Sequence, residues 1–261
     1  MSFSVSARQP DHIRTMADEL RVDYRDIKMM YKLIEDFPDK KYQVVITNSD
    51  DNVDWQELHM FAEKVKLTCA LENLFMSPNC GVDIPFFWLY AVNSYDIVNT
   101  LIDLGVSEIR VEAPLTFDLE QLASFNVPIR MIVNVCYDGR MPRRTGVTGS
   151  YVRPEDIELY SNWVDTFEFD ASSIDKEAVL LKTYLSGKWP GNLNLLLTNL
   201  KFDVDNRGIP TEFGEVRANC KQRCMRSHDC HWCETAFNFC RLIDKNASNW
   251  DSEKGLLDST P

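Results

Sequence analysis

SYDIVNTLIDLGVSEIRVEAPLTFDLEQLASFNVPIRMIVNVC, residues 94–136, decides the fold. SYDIVNTLIDLG (94–105) has helical spacing, with Ser94 placed to cap its start and Gly105 to end it. SEIRVEA (107–113) is short and β-branched, which predicts a strand. TFDLEQLASF (116–125) predicts a second helix, and PIRMIVNVC (128–136) a second strand. Strand, helix and strand joined by short connections make a right-handed crossover and a parallel sheet.

The same alternation extends outward. YQVVITN (42–48), KLTCALEN (66–73), PFFWLYAV (85–92) and DTFEFD (165–170) predict strands. Helices are predicted after a cap at Asn52, over 153–164 with Pro154 in the first turn, and over 173–187. ADELRVDYRDIKMMYKLIEDF (17–37) spaces Leu20, Tyr24, Ile27, Tyr31 and Ile34 as one face of an amphipathic helix. The expected fold is α/β, with parallel βα repeats forming a reduced or irregular TIM-type barrel. Eight full units take about 250 residues, and after Gly187, roughly the last 70 residues, the chain departs from the pattern. Four segments are expected: an N-terminal helical segment 1–40, a barrel-like domain 41–200, a Cys-rich metal-binding segment 201–242 and a flexible tail 243–261.

With 261 residues and 44% apolar content the chain can bury a core, and no apolar run approaches the length of a membrane span. No apolar signal core opens the chain, so a cytoplasmic location is expected, where thiols stay reduced. The net charge of −12 disfavours nucleic-acid binding by a global positive field. Two local basic segments stand against that charge. GRMPRR (139–144) carries Arg140, Arg143 and Arg144, and RANCKQRCMR (217–226) carries Arg217, Lys221, Arg223 and Arg226. They suit an anionic ligand, or they are solvated surface.

NCKQRCMRSHDCHWC, residues 219–233, holds four of the eight cysteines. The spacing Cys220-x3-Cys224-x5-Cys230-x2-Cys233 lets two thiolate pairs close one four-coordinate site. Cys240, His228 and His231 are further candidate ligands. Lys, Arg, Ser and Asp surround these thiols, which is not a core composition. An iron–sulfur cluster and a zinc ion both fit the set.

In parallel α/β folds, chemistry gathers at the carboxyl ends of strands. Asn48, Asp50, Glu72, Asn73, Asn93, Glu112, Cys136, Tyr137 and Asp170 fall at such ends here. Glu112, Tyr137 and Arg140 are the catalytic candidates, Glu112 and Arg140 as a binding or acid–base pair, or as a loop-ordering salt bridge. Arg140, Arg143 and Arg144 are the substrate-binding candidates. No G-x-G-x-x-G follows a strand, and neither a P-loop nor HExxH occurs.

Residues 94–170 resemble the collagenase-like peptidase family, many of whose members act in RNA or quinone hydroxylation. The matching residues are Leu104-Gly105-Val106, Ile109, Val111, Leu115 and Cys136-Tyr137-Asp138-Gly139-Arg140, followed by the polar lead-in, helix and strand of 149–169. The chain departs from the family at Val133-Asn134-Val135, where a His-Gly-Ala run is usual. Met141 replaces a second cysteine, and the cysteines bunch at 220–233 rather than spreading over the barrel. The resemblance implies a barrel-type fold, an iron–sulfur cluster, and modification of RNA or of a small aromatic or anionic substrate. The competing expectation is a non-enzymatic binding or assembly protein, with a protein partner and a zinc-stapled Cys-rich module. No membrane association is expected.

Overall fold

Alternation of apolar and polar residues inside short extended segments builds the central sheet. The computed structural model describes residues 1–47, 52–69, 86–88, 92, 94–112, 119–134, 151–189, 191, 193–197, 203–205 and 241–243. Eight strands form one sheet: β1 (Phe3–Ser6), β2 (Glu19–Asp23), β3 (Lys41–Ile46), β4 (Val65–Cys69), β5 (Phe86–Trp88), β6 (Ile109–Glu112), β7 (Ile129–Ile132) and β8 (Thr166–Glu168). Their order is β5-β4-β3-β2-β1-β8-β7-β6. The pairings β1–β2, β1–β8, β2–β3, β3–β4 and β4–β5 are all parallel. At the two ends of this order, Phe87 of β5 makes a parallel bridge with Glu108, the residue before β6. The Val92 N–H also donates to the Arg110 carbonyl at 2.8 Å. The sheet therefore curls until its end strands touch.

Both faces of that sheet are buried. One presents Phe3, Val5, Leu20, Val22, Tyr42, Val44, Leu67, Ile109, Val111, Ile129, Met131 and Phe167. This is the dominant source of stability, at roughly 1.5–3 kcal/mol for each large apolar side chain removed from water. The other face carries Ser4, Glu19, Gln43, Thr68, Arg130 and Glu168, also buried. Register places Ser4 beside Glu19 and Glu168, and Gln43 beside Arg21 and Lys66. The Gln43 amide donates to Thr68 Oγ1 at 2.5 Å on this polar face.

The helices between strands are short. They are α1 (Asp11–Arg14), α2 (Met30–Asp36), α3 (Trp55–His59), α4 (Tyr95–Asp103), α5 (Leu119–Ala123), α6 (Ile157–Tyr160), α7 (Ile174–Ser186) and α8 (Leu193–Leu196). Ser94 caps α4, accepting from the Ile97 N–H at 3.3 Å, and α4 buries Val98 and Leu101. Ser173 caps α7, which ends at Gly187 in the left-handed region (φ 61°). That conformation is one glycine adopts without steric cost.

Two expectations change. The helix expected over 17–37 is a strand at its start: residues 19–23 form β2, a 3-10 segment follows at Tyr24–Met29, and only Met30–Asp36 is α-helical. Glu-Leu-Arg-Val-Asp alternates with period two, and the sheet neighbours β1 and β3 take up its backbone groups. Residues 1–40 accordingly contribute two strands to the sheet. The cap of α3 is Asp54, not Asn52, with its carboxylate accepting from the Gln56 and Glu57 N–H groups at 3.0 and 3.1 Å.

The chain divides into two compact units. Unit 1 comprises Met1–Val111, Ala123–Met131 and Val164–Glu168. Unit 2 comprises Glu112–Leu122, Ile132–Trp163 and Phe169–Pro261. In unit 2, Asn134 donates to the carbonyls of Asp170 (2.9 Å) and Leu196 (2.8 Å) and accepts from the Asp170 N–H. Tyr184 of α7 donates to the Val152 carbonyl at 2.6 Å, and Arg153 forms a buried ion pair with Asp156. A two-stranded antiparallel ribbon pairs β9 (Asp203–Asp205) with β10 (Arg241–Ile243). Among the described residues no helix is long and apolar enough to cross a membrane.

Candidate functional site: a buried ionic cluster

Charged residues that alternate with apolar ones in β2, β4, β6, β7 and β8 all turn to the polar face of unit 1. There three carboxylates, Glu19, Glu108 and Glu168, meet four cations, Arg21, Lys66, Arg110 and Arg130. Arg130 stands at the centre with 0% of its side chain exposed. Its Nη2 donates to Glu19 Oε1 at 2.7 Å and Oε2 at 3.0 Å. Nε and Nη2 each donate to Glu108 Oε2 at 3.1 Å. The guanidinium also lies 4.6 Å from the centroid of the Phe87 ring, a cation–π contact in a water-poor site.

A second group sits two residues further along the strands. Arg110 Nη2 donates to Glu168 Oε1, and Arg21 Nη1 lies 3.4 Å from the same oxygen. Lys66 Nζ lies 3.5 Å from Glu108 Oε2. Arg21 and Arg110 are each 20% exposed, so water reaches this level while Arg130 is sealed.

The electrostatics follow from burial and pairing. Burial opposes the charge of Arg130, but Glu19, Glu108 and Glu168 outweigh it and hold the guanidinium ionised. Burial likewise pushes the Glu168 carboxyl up, and Arg110, Arg21 and Arg130 overcome this, bringing it down to about 2. Glu108 goes the other way. Burial raises it, Arg130 and Lys66 pull it down, Glu19 pushes it up, and the net displacement is upward. Two carboxylates in one interior thus differ in proton affinity by their surroundings. The seven charged side chains of the cluster include no thiol, hydroxyl or imidazole. The cluster can order the inner face of the sheet, hold a proton at a carboxyl group, and present guanidinium groups toward the carboxyl ends of β2 and β6.

Of the residues singled out from sequence, Glu112 ends β6 and is exposed. Tyr137, Arg140, Arg143, Arg144 and Cys136 lie outside the described residues, as do Cys220, Cys224, Cys230, Cys233, Cys240, His228 and His231. Cys69, the last residue of β4, is buried. Among the described residues, no group of three or more His, Cys, Asp and Glu side chains is arranged to hold a metal ion.

The cluster is not among the candidates that the sequence singles out. A signal for it exists: Glu19-Leu20-Arg21-Val22 and Glu108-Ile109-Arg110-Val111 repeat one pattern, and Ile129-Arg130-Met131 again sets a charge between apolar residues. The class that fold and site define is a parallel α/β protein with an ionic interior. Comparison with protein-family models and with curated proteins gives no match.

Proposed function

We propose that the chain is a TIM-type barrel protein carrying an iron–sulfur cluster on Cys220, Cys224, Cys230 and Cys233, and that it modifies RNA or a small anionic or aromatic substrate. The observation that carries the metal reading is four thiols within fifteen residues of polar sequence, a donor set suited to one four-coordinate centre. The barrel reading is supported by strands that neighbour one another in chain order and by end strands that meet through Phe87 and Glu108. In such folds ligands bind beyond the carboxyl ends of the strands. Tyr137, Arg140, Arg143 and Arg144 follow β7 in sequence and would supply an anion-binding loop there. When bound, the cluster supplies electron transfer, and the basic loop recruits and orients the anionic substrate. The resemblance of 94–170 to the collagenase-like peptidase family points the same way.

A second reading draws on the ionic interior, whose described charges engage one another. In it the barrel is a scaffold, and the cysteines form a zinc-stapled module for a protein partner. Metal and acid-labile sulfide analysis of protein purified without oxygen separates the two. About four irons and four sulfides per chain, with broad visible absorbance, support the cluster. One zinc and no sulfide overturn it in favour of the staple.

A further inference from the structure

We propose that Glu108 is a proton-uptake site which couples tight closure of the sheet interior to mild acidification. The inference is independent of the metal reading. Its ground is the stoichiometry of charge around Arg130: one sealed guanidinium faces three buried carboxylates, hydrogen-bonding Glu19 and Glu108 and lying 3.7 Å from Glu168 Oε2. Glu19 takes the better share, with both oxygens bound at 2.7 and 3.0 Å. Glu108 places only Oε2 against Arg130, at 3.1 Å, and its buried Oε1 has no hydrogen-bond partner among the described residues. A half-satisfied carboxylate away from water favours the neutral form.

Among the described residues, four elements face Glu108. β2 contributes Glu19, a like charge, and β7 contributes Arg130. β4 contributes Lys66, 3.5 Å away and 29% exposed, so its attraction is weakened by solvent. β5 contributes the uncharged Phe87 ring, bridged to Glu108 through the backbone. Glu168 of β8 pairs with Arg21 and Arg110 and also lies 3.7 Å from Arg130 Nη1, so it competes with Glu108 for that guanidinium. The upward displacement of Glu108 agrees with this arrangement.

A carboxyl that binds protons more tightly when the interior is closed than when it is open adds stability below its open-state value. That stability is lost as pH rises through the closed-state value. The window therefore lies above 4.5, the ordinary glutamate value. Acidification toward that value tightens the interior, the reverse of what an ion pair alone would do.

The test is backbone hydrogen exchange of the full chain between about pH 5 and pH 8, corrected for intrinsic exchange. The amide to follow is Ile109, whose N–H donates to the Pro128 carbonyl at 2.9 Å beside the cluster. The local opening constant is expected to fall by up to about tenfold for each pH unit lowered within the window. In Glu108→Gln, which cannot take up the proton, it is expected not to vary with pH. Should that variant fail to fold, carbon-13 titration of glutamate carboxyls in the unaltered chain decides. One carboxyl with its midpoint above 4.5 supports the proposal. A Glu108→Gln variant with the unaltered chain's slope overturns it, as do glutamates that all titrate at or below that value.

Discussion

Replacing Arg130 by methionine is the sharpest perturbation of this architecture. Methionine keeps much of the volume and removes the charge. Two carboxylates then remain sealed from water: Glu19, which loses hydrogen bonds of 2.7 and 3.0 Å, and Glu108, which loses two of 3.1 Å. The guanidinium–Phe87 contact at 4.6 Å is lost too. Removing one partner of a buried ionic group costs about 3–5 kcal/mol, because the other charge stays uncompensated. That is a large part of the roughly 5–15 kcal/mol that holds a domain folded. At about 2–4 °C per kcal/mol for a protein of this size, the melting temperature should fall by about 6–20 °C at pH 7. Calorimetry or thermal circular dichroism measures it. A companion variant tests the cause. Glu19→Leu and Glu108→Leu added to Arg130→Met remove the orphaned charges, and the triple variant should recover at least half of the loss. A single variant that melts within about 2 °C of the unaltered chain would refute the reasoning, because the cluster would then be wet or loosely held. So would a triple variant no more stable than the single one.

Other outcomes follow from named contacts. Glu168, held at about 2 against an ordinary 4.5, contributes stability that is present above 4.5 and lost as pH falls toward 2. Glu168→Gln should flatten acid unfolding, followed by circular dichroism, in that window. Ser173→Ala removes the α7 cap, whose hydroxyl accepts from the Lys176 N–H at 3.1 Å, and should cost about 1 kcal/mol in urea unfolding. Gly187→Ala meets no atom within 4 Å but places a Cβ at φ 61°, so it should cost about 1–2 kcal/mol from backbone strain alone. If the cysteines at 220–233 hold a metal centre, Cys230→Ser should lower its occupancy in metal analysis by at least about tenfold while the described sheet of unit 1 keeps its far-ultraviolet signal.

Residues 94–112 and 164–187 are legible in the amino-acid sequence, because local forces place them. Ser94 and Ser173 satisfy the first backbone N–H groups of their helices, and Gly105 and Gly187 take the left-handed turns that end them. Those interactions span three or four residues, so neighbouring letters encode them. ELRVD misleads because one string satisfies two periods: Leu20 lies four residues before Tyr24 and two before Val22. The strand partners Ser4–Ser6 and Lys41–Val45 decide between the periods, and they come from elsewhere in the chain.

The ionic cluster shows where local reading stops. Glu19 and Arg130 are 111 positions apart and meet at 2.7 Å. A charged residue alternating with apolar ones in a strand signals a solvent-facing side when the strand is taken alone. In this chain the sheet curls until β5 and β6 touch, and the side that should face water becomes an interior. Caps, the element types they bound and the candidate thiolate set are written in short-range order, whereas the strand at 19–23 is decided by its distant partners. Which face of each strand is inside is a property of closure, because only the meeting of the end strands removes water from that face and makes each charge there depend on its neighbours.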